Sequence, residues 1–285
     1  MEYSIIIPVF NYRESIDGLL QELTFILKST EFEVIIVVDN LEEQVNKALI
    51  ELRKKHPALQ IRIIQLNRNV GQHKAICCGF TLAKGNRIVC LDDDNKFTFD
   101  SMQAAFDKIP SLGEFDLIYG SVDKTSALNQ GKIAMFKFVR AFSLLPNPVP
   151  KKNGSSFKVY RKKVVKQVIE LNAEFIFIDA FHLYAVKSIG YVPIVEKERK
   201  VEESNYNVLA KIIFLGKIIL RYTYLAEVLM FCFASLLLVL FYALHLYNMK
   251  LLLVVSVGLG LSYFFFWRSR KLLKESFDFY IKEEL

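Results

Sequence analysis

A chain of 285 residues with 53% hydrophobic content and a formal net charge of +7 is not composed like an ordinary soluble enzyme, and at about 100–200 residues per domain it holds one large domain and something smaller. The four cysteines, Cys77, Cys78, Cys90 and Cys232, lie in apolar surroundings without metal-ligand spacing, which implies no zinc site or disulfide framework and predicts buried, reduced thiols. The apolar residues crowd into the last quarter of the chain, so a membrane is an expected partner and nucleic acid is not.

The N-terminus runs almost at once into Tyr3 to Val9, a β-branched run read as the first buried strand. It lacks the basic region and cleavable apolar core of a signal peptide, so this part is expected in the cytosol. Asn11 and Glu14 open a helix whose apolar positions Ile16, Leu19, Leu20, Leu23, Phe25, Ile26 and Leu27 recur near helical spacing to about Lys28. Glu33 to Asp39 is a second strand ending in a carboxylate, Glu42 to Lys55 a second helix and Ile61 to Leu66 a third strand. A turn from Asn67 to His73 leads into a helix reaching Leu82. Ile88 to Asp94 then reads as a buried strand closed by Asp92, Asp93 and Asp94. A helix from Phe99 to Ile109 and a strand from Phe115 to Tyr119 follow.

This alternation predicts an α/β fold with a doubly wound, mostly parallel sheet. Ligands bind such sheets at the carboxyl ends of the strands, so Asp39 and Asp92 are expected to face one crevice. The acidic triplet by itself fits a solvated turn as well as a site that draws a cation or basic side chains.

After Tyr119 the alternation fails. Gln130 to Leu145 fits an amphipathic helix on a membrane surface or a core helix. Pro146, Pro148 and Pro150 end it before a basic loop from Lys151 to Gly154. Ser155 to Tyr160 reads as a strand, Arg161 to Leu171 as a helix, Phe175 to Ser188 as a helix carrying Asp179 and His182, and Tyr191 to Glu196 as a last strand. Val228 to Tyr247 and Leu251 to Trp267 are apolar enough to cross a hydrocarbon core about 30 Å thick. Lys211, Lys217 and Arg221 precede this pair and Arg268, Arg270, Lys271 and Lys274 follow it, which places both ends in the cytoplasm. The expected organisation is a cytosolic domain at 1–206, a membrane-interface amphipathic segment at 207–224, two transmembrane helices at 225–269 and a cytosolic tail at 270–285. The expected location is the plasma (inner) membrane, multi-pass.

IIIPVFN, VVD, RNVGQHKA, the DDD stretch, SSFKVYRKKVV and ERKVEESNY, in that order, resemble family 2 glycosyltransferases of the GT-A fold, in the branch that moves a sugar from a nucleotide donor to a polyprenyl phosphate. The resemblance runs from Tyr3 to Tyr224 and implies a hexosyl- or pentosyltransferase that inverts the anomeric carbon and serves cell-envelope glycan or glycolipid synthesis. It implies a Mg2+ or Mn2+ ion on Asp92 and Asp94, with Asp93 between them. It also implies a donor site of Pro8, Phe10, Asn11, Asp39, Arg68, Gly71, Asp92 and Asp93. A salt bridge from Arg68 to the neighbouring acids is the alternative for that residue. Lys158, Arg199, Ser204 and Tyr206 correspond to the groups that hold the acceptor phosphate and donor diphosphate. Asp94, Asp179 and Arg199 are the expected catalytic residues. A phosphate monoester, with a second pKa near 6, is already a dianionic nucleophile at neutral pH, so Ser156 standing where some relatives have Asp is tolerable. The partners expected are a nucleotide sugar, a polyprenyl phosphate and the membrane, with homo-oligomerisation left open.

Several positions depart from the pattern. Val38 replaces the first acid of the usual pair at the second strand, and Asn40-Leu41 the Gly-Ser that follows. Lys96 stands where relatives carry a Gln beside the metal. Its ammonium either meets the diphosphate and substitutes in part for the ion, or points to solvent. A processive polysaccharide synthase would carry Gln-x-x-Arg-Trp, but the one tryptophan is Trp267. A dinucleotide oxidoreductase would carry G-x-G-x-x-G after the first strand, and none is there. A catalytically silent, nucleotide-sugar-binding membrane partner of an active paralogue is the alternative function.

Overall fold

The computed structural model describes residues 1–113, 115–122, 137, 152, 154–171, 178–179, 185–197, 216, 232–233, 235–236, 260 and 281–285. The chain divides into two compact units: Met1–Phe136, Pro146–Glu203 and Glu275–Leu285 form the first, Lys137–Leu145 and Ser204–Lys274 the second. Only isolated residues of the second are described, so the expected spans at 228–247 and 251–267 lie outside the described residues but for those few. Among the described residues no helix is long and apolar enough to cross a membrane.

The first unit is built on one eight-stranded sheet. Its elements in order are β1 (Tyr3–Val9), α1 (Ser15–Ile26), β2 (Phe32–Val38), α2 (Glu43–Lys55), β3 (Ile61–Leu66), α3 (Gln72–Leu82), β4 (Arg87–Cys90), α4 (Phe99–Lys108), a 3-10 turn (Ile109–Leu112), β5 (Leu117–Ser121), β6 (Gly154–Arg161), α5 (Lys162–Leu171), β7 (Ile189–Pro193) and β8 (Ile281–Glu284). The strands lie in the order β7-β5-β6-β4-β1-β2-β3-β8. β1 pairs in parallel with β2 and β4, β2 with β3, and β5 with β7, while β6 and β8 run antiparallel to their neighbours.

The β-branched runs of β1 and β2 explain the layering. Successive side chains point to opposite faces, so Ile5, Ile7, Val34 and Ile36 pack with α1, α2 and α4. Ile6, Ile35 and Val37 pack with α3 and α5 on the other side. Both faces are covered, as a central parallel strand requires. Gly79 lets α3 lie close on the sheet, since a Cβ there would come within 2.7 Å of Ile6 Cγ2. At the amino ends of the strands, the buried Glu33 accepts from Ser4 Oγ at 2.7 Å and from the Lys84 amide at 2.9 Å, fastening the turn into β4.

Three details differ from expectation. β4 stops at Cys90, and Asp92 to Asp94 sit in a turn beyond it; adjacent carboxylates repel one another and have no ladder partner to gain. β8 is unexpected, because Ile281–Glu284 is charged and lacks a strand-like apolar pattern. Tertiary contacts make it a strand: Arg62 grips Glu284 through two hydrogen bonds of 2.8 and 2.9 Å, and Arg53 donates to the Leu285 carbonyl. Cys77, Cys78 and Cys90 are buried as expected, but Cys232 is exposed. The helix expected over 175–188 is helical at 178, 179 and 185, while β7 begins at Ile189; the rest of it, and 130–145 apart from Lys137, lie outside the described residues.

Candidate functional site

A cavity of about 460 Å³ opens at the carboxyl ends of β1, β2 and β4. Pro8, Phe10, Asn11 and Arg13 line it from the β1–α1 loop, Asp39 from the end of β2, Asn69, Gly71 and Gln72 from the turn into α3, and Asp92, Asp93 and Asp94 from the turn after β4. Asp39 and Asp92 therefore share one crevice, as the strand ends predicted. Phe10 is 51% exposed and offers an aromatic face at the rim.

Asp39 is 4% exposed and uses both oxygens on backbone, accepting from Val70 N at 2.7 Å and Gly71 N at 2.8 Å. Burial raises its pKa, with these two bonds acting against the rise. Gly71 has φ 85, a left-handed conformation that favours glycine. Asp39 thus shapes the turn that walls the cavity. Asn40 donates to the Phe10 carbonyl at 2.8 Å, tying the β1–α1 loop to the same wall.

Asp92 also has both oxygens engaged: Gln72 Nε2 lies 2.8 Å from Oδ1 and Lys96 Nζ 2.5 Å from Oδ2. Burial works to raise its pKa, but the Lys96 charge and hydrogen bond, joined by a Ser156 hydrogen bond and the Lys158 charge, together hold the carboxyl below its usual value. Burial lifts Asp93 to about 6, with Arg13 opposing and Asp92 and Asp94 adding to the rise. Asn95, at φ 42, takes the left-handed turn that folds Lys96 back over Asp92. Ser15 Oγ donates to the Asp93 carbonyl at 3.0 Å, Asn95 Nδ2 to Glu22 at 3.2 Å, and Lys197 N to the Lys96 carbonyl at 2.7 Å. The turn is therefore held from α1 on one side and from residues 195–197 on the other.

These residues do not suit a divalent ion at Asp92. Among the described residues no group of three or more His, Cys, Asp and Glu side chains is placed to hold a metal. Mg2+ sits about 2.0–2.1 Å from carboxylate oxygens, which on Asp92 Oδ2 sets it against the Lys96 ammonium. A double and a single positive charge about 4 Å apart repel by about 8 kcal/mol at an effective dielectric constant of about 20.

A second cluster lies beside the first. Lys158 is in register with Cys90 on one side and Tyr119 on the other, so β6 carries it to the end of β4. Its ammonium is 2.5 Å from Asp179 Oδ1, which also accepts from Tyr119 OH at 3.2 Å. The Lys158 ammonium stands 5.8 Å from the Tyr119 ring centroid, and Tyr119 stacks on Tyr191. Burial drives the His73 imidazole down to about 4, Asp179 and Asp92 opposing and Lys158 adding to the fall. His73 is thus neutral at neutral pH, within the electrostatic influence of both Asp179 and Asp92.

Of the expected donor-site residues, Pro8, Phe10, Asn11, Asp39, Gly71, Asp92 and Asp93 line the cavity together, as does Asp94, but Arg68 is not among the lining residues. Lys158 and Asp179 meet as an ion pair. Arg199, Ser204 and Tyr206 lie outside the described residues. Arg13 and Gln72 were missed. Gln72 was legible in principle as the first helical residue after a left-handed glycine, whereas nothing local marked Arg13.

A cavity rimmed by carboxylates at the strand ends of a mostly parallel sheet defines an α/β ligand-binding protein. More narrowly, the chain belongs to glycosyl transferase family 2, whose pattern it matches over residues 4–169. It is 26% identical over 216 residues to the undecaprenyl-phosphate 4-deoxy-4-formamido-L-arabinose transferase of Edwardsiella ictaluri, covering 72% of this chain and 63% of that protein. The Enterobacter sp. protein of the same description is 26% identical over 215 residues, with coverage of 72% and 62%. The chain thus spans somewhat under two thirds of these relatives' length. The mannosyltransferase PcManGT of Pyrobaculum calidifontis, solved with GDP-Man and Mn2+, superposes with a TM-score of 0.52 at 14% identity, covering 91% of this chain and 86% of that one. S. aureus TarS 1-349 with UDP-GlcNAc gives 0.51 at 22% identity, covering 77% and 66%. Both likenesses support the GT-A-like fold.

Proposed function

We propose that the protein transfers a sugar from a nucleotide-sugar donor to a polyprenyl phosphate at the cytosolic face of the plasma (inner) membrane. The observation that carries this reading is the carboxylate-rimmed cavity of a family 2 chain with a lysine-bearing cluster at its side. The named activity of the relatives supplies the acceptor class. Phe10, with Pro8 and Asn11, lies under the donor base. Asp39 holds the turn that shapes the pocket, and Asp92 meets the donor with Gln72 beside it. Lys158 receives the acceptor phosphate, exchanging Asp179 for a dianion of greater charge, and Arg199, Ser204 and Tyr206 complete that site. The phosphate oxygen attacks the anomeric carbon in line as the nucleoside diphosphate departs, giving inversion. The acceptor is ionised before it arrives, so no side chain has to remove its proton, and the neutral His73 is not required as a base.

The membrane part of the proposal is a hairpin of 228–247 and 251–267 within the domain boundaries given by the sequence. Phe233 and Leu236 are 57% and 64% exposed, apolar surface that lipid would cover. Two crossings also fit the return of the chain, because β3 and β8 belong to one sheet and an odd number would put them on opposite sides of the membrane. The experiment incubates membranes containing the protein with labelled nucleotide sugars and extracts them with organic solvent. A labelled lipid labile to mild acid is expected. No labelled lipid from any donor would replace the enzyme with the silent membrane partner.

A further inference from the structure

We propose that Lys96 is a built-in cation of the donor site, its ammonium taking the place a divalent ion would hold at Asp92 and serving the diphosphate of the bound nucleotide. This rests on the nucleotide-sugar reading above and goes beyond it by naming how the donor's charge is met. Three observations carry the inference. Both oxygens of Asp92 are engaged, Oδ2 by the Lys96 ammonium and Oδ1 by Gln72. The turn that folds Lys96 onto Asp92 is firmly held, since a non-glycine residue, Asn95, stands at φ 42 and is secured by its bond to Glu22 and by the Lys197 amide on the Lys96 carbonyl. A left-handed Asn is tolerated but costs conformational energy, so the fold spends stability to keep this geometry. Finally, the Lys96 ammonium stands 5.5 Å from the Phe97 ring centroid and its side chain is 23% exposed; it is not itself a lining residue but is partly desolvated and bonded to Asp92, which lines the cavity.

The chemistry suits the position. A departing nucleoside diphosphate gains negative charge, and a positioned ammonium stabilises that charge as the bond to the sugar breaks. It does so without release of a metal with each product. Asp92 holds the ammonium; a diphosphate, carrying more charge than one carboxylate, draws it across.

The test uses the full chain in detergent, stripped with EDTA, and titrates UDP and GDP calorimetrically with and without Mn2+. A nucleoside diphosphate is expected to bind the wild type equally well in EDTA and in Mn2+. Lys96→Gln should bind at least about tenfold more weakly in EDTA, the size of a lost charge-assisted hydrogen bond, and recover when Mn2+ is added. Electron paramagnetic resonance of Mn2+ gives a second readout, with Mn2+ captured by Lys96→Gln and not by the wild type. Lys96→Arg, which keeps the charge, should bind in EDTA and guards against a folding defect in the Gln variant. Binding by the wild type only with Mn2+, or equal binding by Lys96→Gln in EDTA, overturns the proposal and leaves the nucleotide-site reading intact. Binding of neither nucleotide under either condition overturns both.

Discussion

Two lysine–aspartate pairs flank the site, with the same 2.5 Å separation and different construction. Lys96 and Asp92 are four residues apart on one turn, whereas Lys158 and Asp179 are 21 apart and are joined through β6 and a helical segment. The local pair can form wherever its turn forms. The distant one exists only when the helical segment at 178–179 has packed against β6. Their surroundings differ in exposure: the side chains of Lys158 and Asp179 are 13% and 21% exposed against 23% for both Lys96 and Asp92, while without its lysine Asp92 keeps Gln72 and Asp179 keeps the Tyr119 hydroxyl. Similar geometry therefore carries unequal energetic weight.

The largest effect is expected from Lys158→Met. Removing one member of a buried ion pair costs about 3–5 kcal/mol, and side-chain exposures of 13% and 21% place this pair near the lower end. Denaturant midpoints at constant m-value would show it. A loss equal to that of Lys96→Met would erase the distinction between the pairs.

Asp39→Asn comes next and asks whether a carboxylate with no lysine is held as firmly by backbone. The amide keeps one acceptor and turns a donor toward the other N–H. About 2 kcal/mol of stability should be lost, the scale of a hydrogen bond to a charged group, together with nucleotide affinity as the turn at 69–71 relaxes. An unchanged affinity with lower stability would show that the turn does not touch the donor. Lys96→Met is expected to cost about 1 kcal/mol, because Asp92 keeps Gln72 and gains water. Any larger loss in thermal melting would make the local pair structural first.

What the sequence disclosed follows the same division between local and distant. Tyr3–Val9 and Phe32–Val38 were legible because β-branched runs leave few other conformations, and the acids at Asp39 and Asp92 followed from their places at strand ends. The role of Asp39 was less visible, since its partners Val70 and Gly71 are backbone groups 31 and 32 residues away. The Lys158–Asp179 contact depends on register between β4, β5 and β6, which no single segment encodes. β8 was hidden for a related reason: its charges argue against a strand until Arg62 and Arg53 supply partners from the opposite end of the chain.

Arg62 and Glu284 form a third pair, 222 residues apart yet at the surface, and so separate distance in sequence from burial. The Arg62 hydrogen bond holds Glu284 below its ordinary pKa of 4.5, burial opposing and the Arg62 charge adding to the effect. A carboxylate with a depressed folded-state pKa binds protons more readily when unfolded. Its contribution is therefore complete above about pH 4.5 and disappears as the pH falls through the lower, folded value. With Glu284 47% exposed, solvent screening limits the pair to no more than about 1 kcal/mol. Hydrogen exchange should show the amides of residues 281–284 protected at neutral pH and losing that protection in acid before β1 and β2 do. In Glu284→Gln protection should be lower at neutral pH and nearly independent of pH through the same range. If acid leaves β8 protected in the wild type, the Ile281 side chain and the ladder to β3, rather than the ion pair, hold the end of the chain on the sheet.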